Sequence, residues 1–310
     1  MNCLTLFAGA GGADIGLSRA GFHHLACMEG DATACATLRA AGFPAVHAWI
    51  GGVGPDGQPA FVPPDEPVDL LWASPPCQPY SIAGKRQGAE DARDGWPATL
   101  GVIDRVRPRW VIVENVRGAP VEAWSEQLAA LGYVTSWALL DAADWGLPSH
   151  RRRLFVVAGP VGYRWPTPTH AEGNPLPPLK PWASMGQALH DSPDQFRPYA
   201  DPTGPRSIKC ILSQPAAAVT CQEVKGTRAS KANNYRFHGG PDRASDSAFL
   251  ALNWRRLTVA ECAKLVGFPD GYPLQGTSEA RYRQIGNAVA PVMAEVLARG
   301  LTGDDSGCRL

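Results

Sequence analysis

Cys77 stands in the run Ala73-Ser74-Pro75-Pro76-Cys77-Gln78, directly after an apolar stretch that ends at Trp72. A thiol placed where a strand ends can act as a nucleophile, although a lone cysteine is otherwise a small buried hydrophobe. Its company favours the chemical reading. Val111-Ile112-Val113 is a second buried-type strand and runs into Glu114-Asn115-Val116, which brings a carboxyl group to the same edge. Arg151, Arg152 and Arg153 precede a third apolar run. Such arginines form a solvated face or, at the mouth of a cleft, hold a polar ring or a phosphate. Near the N-terminus a strand ending at Phe7 meets Ala8-Gly9-Ala10-Gly11-Gly12, and Glu29 closes the next strand. A glycine turn followed by an acidic strand end is how a doubly wound sheet holds a nucleoside, with backbone close to the ligand and the carboxylate on ribose hydroxyls. Phe7, Gly9, Gly11 and Glu29 are the residues that reading selects.

Positioning these groups requires alternating strands and helices. The pattern predicts strands over Cys3 to Phe7, His24 to Met28, Val68 to Trp72, Trp110 to Val113 and Arg153 to Ala158. Between them helices are expected from about Asp14 to Ala20, Ala32 to Ala40, Pro97 to Arg107 and Ala119 to Leu131. This is the signature of a parallel sheet wrapped by helices, an open doubly wound α/β domain over residues 1–158. From Gly159 to Pro205 the chain holds eleven of its 29 prolines, which disfavours helix and central strand alike. Between Arg206 and Arg243 seven basic side chains face two acidic ones. A different, irregular unit is therefore expected over residues 159–280. A helical pattern returns at Leu257, and after a loop at Gln284-Ile285-Gly286-Asn287 a closing helix is expected from about Pro291 to Leu301, within a segment 281–310 that rejoins the first domain.

The 310 residues carry 29 basic and 29 acidic side chains, so overall charge argues for neither nucleic acid nor membrane, and any basic surface must be local. No apolar run approaches the ~20 residues of a membrane span, and no basic stretch with an apolar signal core opens the chain, so a cytoplasmic, non-secreted protein is expected. The eight cysteines, Cys3, Cys27, Cys35, Cys77, Cys210, Cys221, Cys262 and Cys308, are scattered with no CxxC pair and no zinc spacing. Reduced thiols and no metal are the expectation.

These blocks resemble the cytosine carbon-5 DNA methyltransferases that use S-adenosylmethionine. In the family's order the chain offers Phe7 to Gly12, Glu29, Pro76-Cys77-Gln78 with Ser81 and Gly84, Glu114-Asn115-Val116, and Arg151 with Arg153 before Leu154-Phe155-Val156-Val157. Arg256-Leu257-Thr258, Glu261-Cys262, Gly267-Phe268-Pro269 and Gln284-Ile285-Gly286-Asn287-Ala288-Val289 follow. The resemblance implies a Rossmann-like methyltransferase sheet with a smaller, irregular target-recognition domain. It implies attack by Cys77 on carbon 6 of a cytosine flipped out of duplex DNA, which makes carbon 5 able to take a methyl group. Glu114 is expected to donate to ring nitrogen 3 and the exocyclic amine, its carboxyl held protonated by burial. Arg153, assisted by Arg151, is expected to bind the ring oxygen.

The same resemblance adds Pro76, Trp96, Asn287 and Ala288 to the S-adenosylmethionine contacts. Gln78, Ser81, Lys85 and Arg86 would meet DNA on a glycine-containing loop that closes over it. Lys225, Arg228, Lys231 and Arg236 would meet DNA from the target-recognition region. The chain departs from the family in three places: Ser149 stands where Gln usually opens the arginine block, Trp49-Ile50 where Asp-Ile often contacts adenine, and Ala288 where a hydroxyl residue is common. A transfer-RNA cytosine methyltransferase shares the chemistry, and a variable region of roughly 90 residues with its basic cluster favours DNA. An inactive DNA-binding relative would be expected to have lost Cys77 or Glu114. A monomer acting on double-stranded DNA, without a membrane, is the expected assembly.

Overall fold

Short runs of β-branched and large apolar residues form the centre of the molecule because, in strands buried on both faces, alternate side chains feed two separate cores. In β4 (Leu70–Ala73) and β5 (Trp110–Asn115), Leu71, Ala73, Val111 and Val113 join one core, while Leu70, Trp72, Trp110 and Ile112 join the other. The computed structural model describes residues 1–51, 54, 57–77, 80, 94–189, 215, 216, 219 and 257–302. Its main sheet has seven strands in the order β3-β2-β1-β4-β5-β7-β6. The others are β1 (Asn2–Leu6), β2 (His23–Glu29), β3 (Ala45–His47), β6 (Val134–Asp141) and β7 (Arg152–Gly159). A two-stranded parallel pair, β8 (His170–Ala171) and β9 (Lys180–Pro181), lies apart.

Helices cover both faces. On one side α3 (Trp96–Val106) and α4 (Val121–Ala130) bury Ile103, Trp124 and Leu128. On the other, α1 (Gly12–Arg19) and the last helix, α8 (Pro291–Thr302), bury Leu17, Met293 and Leu297. Each such fully buried side chain stabilises the fold by about 1.5–3 kcal/mol relative to exposure. Between them in the chain come α2 (Ala32–Ala40), α5 (Met185–Ala188), α6 (Val259–Val266) and α7 (Ser278–Asn287). Their starts are written locally: Asp31 accepts from the Thr33 and Ala34 N–H groups to cap α2, and Thr258 with Glu261 forms a reciprocal capping box at α6.

The sheet is not wholly parallel, as the sequence pattern suggested. β1, β2, β3, β4 and β5 pair in parallel, whereas β7 runs antiparallel to both β5 and β6. Gln284 to Asn287 is likewise the last turn of α7 rather than a loop. Beyond Gly159 the chain still leans on the first core: Tyr163 and Trp165 pack against it, and the Tyr163 hydroxyl donates to the Leu297 carbonyl at 2.8 Å. Among the described residues no helix is long and apolar enough to cross a membrane.

Candidate active site

Parallel β1, β2, β4 and β5 all end at one edge of the sheet, and there a cavity of about 290 Å³ opens. The reversal of β7 makes that strand begin at the edge where β5 ends: Glu114 lies opposite Phe155 and Asn115 opposite Leu154. A residue that starts a strand thereby reaches one that finishes its neighbour. The Arg153 Nε stands 3.0 Å from Glu114 Oε1, both side chains largely buried, and both residues line the cavity with Cys77.

The glycine turn and Glu29 form the other half. Phe7 and Gly9 both take positive φ, at 57°, and a Cβ placed on Gly9 would meet no atom within 4 Å, so its Cα side is open. Glu29 Oε2 accepts the Gly9 N–H at 2.7 Å and Oε1 accepts the Asp31 N–H at 2.8 Å. Burial pushes the Glu29 carboxyl above its ordinary range, while backbone N–H groups of Asp31, Gly9 and Gly30 pull the other way. Each carboxylate oxygen keeps a lone pair for a further donor. Phe7, Pro76, Asn287 and Ala288 all line the cavity.

Three expectations need correction. Gly11 is not a cavity residue: it is the N-cap of α1 in the left-handed region (φ 85°), and a Cβ there would sit 2.8 Å from the Tyr272 hydroxyl. Its smallness admits Tyr272, which donates to the Ala10 carbonyl at 2.7 Å. Trp96 turns into the core, stacked on Trp124 with ring centroids 4.6 Å apart and its indole N–H donating to Gln127 at 2.6 Å. Gly95 is the neighbour that touches the cavity wall, against Phe7 and Pro76.

Arg151 is the third. Its side chain is buried, and its guanidinium donates to the carbonyls of Val219 (3.1 Å), Gly286 (2.8 Å) and Ala288. It does not line the cavity but holds the Gly286–Ala288 backbone that does. Ser149, in the position usually taken by Gln, is buried and donates to the Leu265 carbonyl of α6 at 2.7 Å. Trp49 is not core: it is 40% exposed, and its ring covers Gly30, the residue after Glu29.

Other residues at the site carry no single-residue signal in the sequence. Asn115 donates to the Pro75 carbonyl at 3.0 Å and so fixes the backbone that leads to Cys77. Asp31 and Arg283 line the cavity and form an ion pair at 3.1 Å. Gln284 accepts from the Thr37 hydroxyl at 2.6 Å and donates to the Gln275 carbonyl at 2.9 Å, which seats α7 as the cavity's far wall. Asp31 is legible as an N-cap, but its partner lies 252 residues away. Gln78, Ser81, Lys85, Arg86, Lys225, Arg228, Lys231 and Arg236 lie outside the described residues.

The family described as C-5 cytosine-specific DNA methylase matches residues 1–199 and 213–302. The chain is similar to the Type II methyltransferase M.AplI of Arthrospira platensis, 31% identical over 96% of this chain and 84% of the relative. It is equally similar, at 31%, to M.NgoMIV of Neisseria gonorrhoeae over 96% of this chain and 95% of the relative. Among solved structures, the Dnmt2 methyltransferase of S. pombe superposes with TM-score 0.65 at 16% identity over 98% of each chain. A DNMT2 of Spodoptera frugiperda gives 0.64 at 20% identity, over 97% of this chain and 99% of its own. Those likenesses show the fold.

Proposed function

From the premise that this chain belongs to the C-5 cytosine-specific DNA methylase family, we propose that Cys77, Glu114 and Arg153 together handle one cytosine flipped out of duplex DNA. The enzyme is a DNA cytosine-5 methyltransferase and uses a methyl donor. The observation that carries the reading is the Glu114–Arg153 ion pair, which faces the same cavity as Cys77 and the Gly9–Glu29 turn.

Our reading of the donor is S-adenosylmethionine. The open side of Gly9 and the free lone pairs of Glu29 suit a nucleoside with two ribose hydroxyls, and Phe7 offers a ring beside it. When bound, that cofactor supplies the methyl group. Asn287 and Ala288 close the cavity on the opposite side, held there by Arg151.

In this reading the Cys77 thiolate forms a bond to carbon 6 of the ring, whose electrons move toward carbon 5. A proton taken up from solvent as the base enters lies between Glu114 and ring nitrogen 3, the other Glu114 oxygen accepts from the exocyclic amine, and Arg153 donates to the ring oxygen, so the base edge takes the place each side chain now gives the other. Loss of the carbon-5 proton after methylation lets the carbon–sulfur bond break and returns the thiolate. Neither face of a stacked base is open to both thiol and donor, so the base must leave the duplex at a cost of a few kcal/mol. Target choice is assigned to residues 159–280, with residues 1–158 and 281–310 as the catalytic body. The protein acts as a monomer in the cytoplasm.

Incubation with S-adenosylmethionine and a duplex carrying 5-fluorocytosine, which lacks the removable proton, should trap a denaturant-resistant complex. Cys77→Ser should abolish it. A serine variant that still crosslinks, or a parent that traps only structured RNA, would overturn the assignment.

A further inference from the structure

Behind the glycine turn, away from the cavity, lies a second cluster of reactive side chains. Cys3 and His24 are partners in the β1–β2 pairing, Cys27 lies three residues further along β2 beyond a shift in the β1–β2 register, and Asp14 comes from α1. No zinc spacing links these positions in the chain. Parallel pairing and the α1 packing bring them together.

The Asp14 Oδ1 lies 3.1 Å from Cys27 Sγ and 3.4 Å from His24 Nδ1, and that nitrogen lies 3.7 Å from Cys27 Sγ. Ligand atoms on a tetrahedral zinc ion, with bonds of about 2.0–2.3 Å, stand roughly 3.3–3.8 Å apart. The three measured edges fall near that interval. Cys3 Sγ, 3.3 Å from the same imidazole nitrogen, is the neighbour able to supply a fourth ligand.

Two further observations point the same way. The Asp14 side chain is wholly buried, and among the described residues its Oδ2 has no hydrogen-bond partner. Oδ1 has only the weak Cys27 thiol donor at 3.1 Å, with the His24 nitrogen standing off at 3.4 Å. On the outer side of the ring, His24 Nε2 is 2.9 Å from the Ser18 hydroxyl. With the proton on Nε2, donated to Ser18, the Nδ1 lone pair faces the sulfur and carboxylate atoms, which is the arrangement of a metal-binding histidine with its orienting partner.

We propose that Asp14, His24 and Cys27, with Cys3 as the available fourth ligand, bind a divalent transition ion of the zinc class. A thiolate, an imidazole and a carboxylate suit zinc or cobalt and not calcium or magnesium. Binding forms bonds from the ion to Cys27 sulfur, His24 Nδ1 and Asp14 oxygen, and the Cys27 proton leaves to solvent. The two positive charges then balance the Cys27 thiolate and the Asp14 carboxylate. The ion would clamp α1 to β1 and β2 and thereby brace the turn between them, a structural role independent of the methylation chemistry.

The test uses the full chain, stripped with a chelator and titrated with cobalt(II) alone. One equivalent should bind and give a thiolate-to-cobalt charge-transfer band in the near ultraviolet, and zinc(II) should displace it and raise the melting temperature. Cys27→Ser should lose the band while keeping its circular dichroism, His24→Gln should weaken binding by about tenfold or more, and Cys77→Ser should keep the band. If Cys27→Ser does not fold, Asp14→Asn replaces it and should lose about tenfold in affinity. No band in the parent protein, or a band that survives Cys27→Ser and Asp14→Asn or vanishes with Cys77→Ser, refutes the site and leaves a cluster of thiol hydrogen bonds.

Discussion

Arg151 and Arg153 are two residues apart and live in opposite surroundings. Arg153 meets a carboxylate in the cavity, whereas Arg151 is enclosed by backbone carbonyls from Val219, Gly286 and Ala288. Arg153→Ala should therefore lower the single-turnover methylation rate with the smaller loss of unfolding free energy, because its pair with Glu114 opens on the cavity. Arg151→Met should do the reverse first, costing about 2–5 kcal/mol because buried acceptors lose their donor. Denaturant titration of both variants beside a rate measurement separates the two roles, and equal stability losses would contradict them. Replacing Glu29 by Gln keeps an acceptor for one of the two N–H groups it now serves. It should weaken S-adenosylmethionine binding by about 10- to 100-fold, since hydrogen bonds to a charged group contribute about 1.5–3 kcal/mol, with DNA affinity retained. Calorimetry showing unchanged cofactor affinity would sink that placement. The sequence displays both arginines in one motif but not their difference, because the carbonyls that claim Arg151 lie 68, 135 and 137 residues away. Cys77, Glu114 and Glu29 are legible because each simply ends a strand or follows its end.

At the scale of elements, the turn from β6 to β7 is knotted by Asp141. Its carboxylate faces His150 Nδ1 at 2.9 Å and accepts from the Arg151 N–H at 2.9 Å and Arg152 Nε at 3.0 Å. Burial raises its pKa, but these bonds outweigh it and hold the group at about 2, against an ordinary 3.8. A depressed carboxyl stabilises the fold above its unfolded pKa, and that contribution disappears as pH falls through the folded value. Unfolding free energy should thus drop by about 2 kcal/mol from this group between pH 4 and pH 2. Asp141→Asn should flatten the curve in that window, and an unchanged slope would show that the carboxylate is not the titrating group. β6 itself escapes a reading by periodicity. It is an edge strand with Val134, Trp137 and Leu139 all substantially exposed, so no clean alternation of apolar and polar residues marks it. The direction of β7 is invisible for a different reason: buried strands read alike whichever way they run. The final turn of α7 looked like a loop because Gly286 and Asn287 are poor helix formers, yet tertiary contacts with Thr37 and Arg151 hold it.

For the whole molecule, a net charge of zero means that DNA affinity must come from local surfaces. Lys225, Arg228, Lys231 and Arg236 are our assignment for phosphate contact. Each alanine variant should lower the slope of log affinity against log salt by about 0.9 without altering the methylated sequence. A base-reading arginine would instead relax selectivity at one position by roughly 1–3 kcal/mol. Binding at several salt concentrations, paired with methylation of a randomised duplex pool, distinguishes them; four variants indistinguishable from the parent would remove this segment from the interface.

The wall that α7 gives the cavity has a consequence in time. Thr37 and its partner Gln284 are 247 residues apart, and the face of α1 that carries Ala13 and Leu17 is covered by α8. At a synthesis rate of about 5–20 residues per second, the first half of the cavity waits roughly 12–50 s for the second. Throughout that interval the emerging polypeptide holds its nucleophile and its glycine turn without an enclosure to use them in, and an oily stripe of α1 faces solvent. A ribosome stalled before α8 would release a sticky, chemically idle fragment, because only α8 covers that stripe among the described residues.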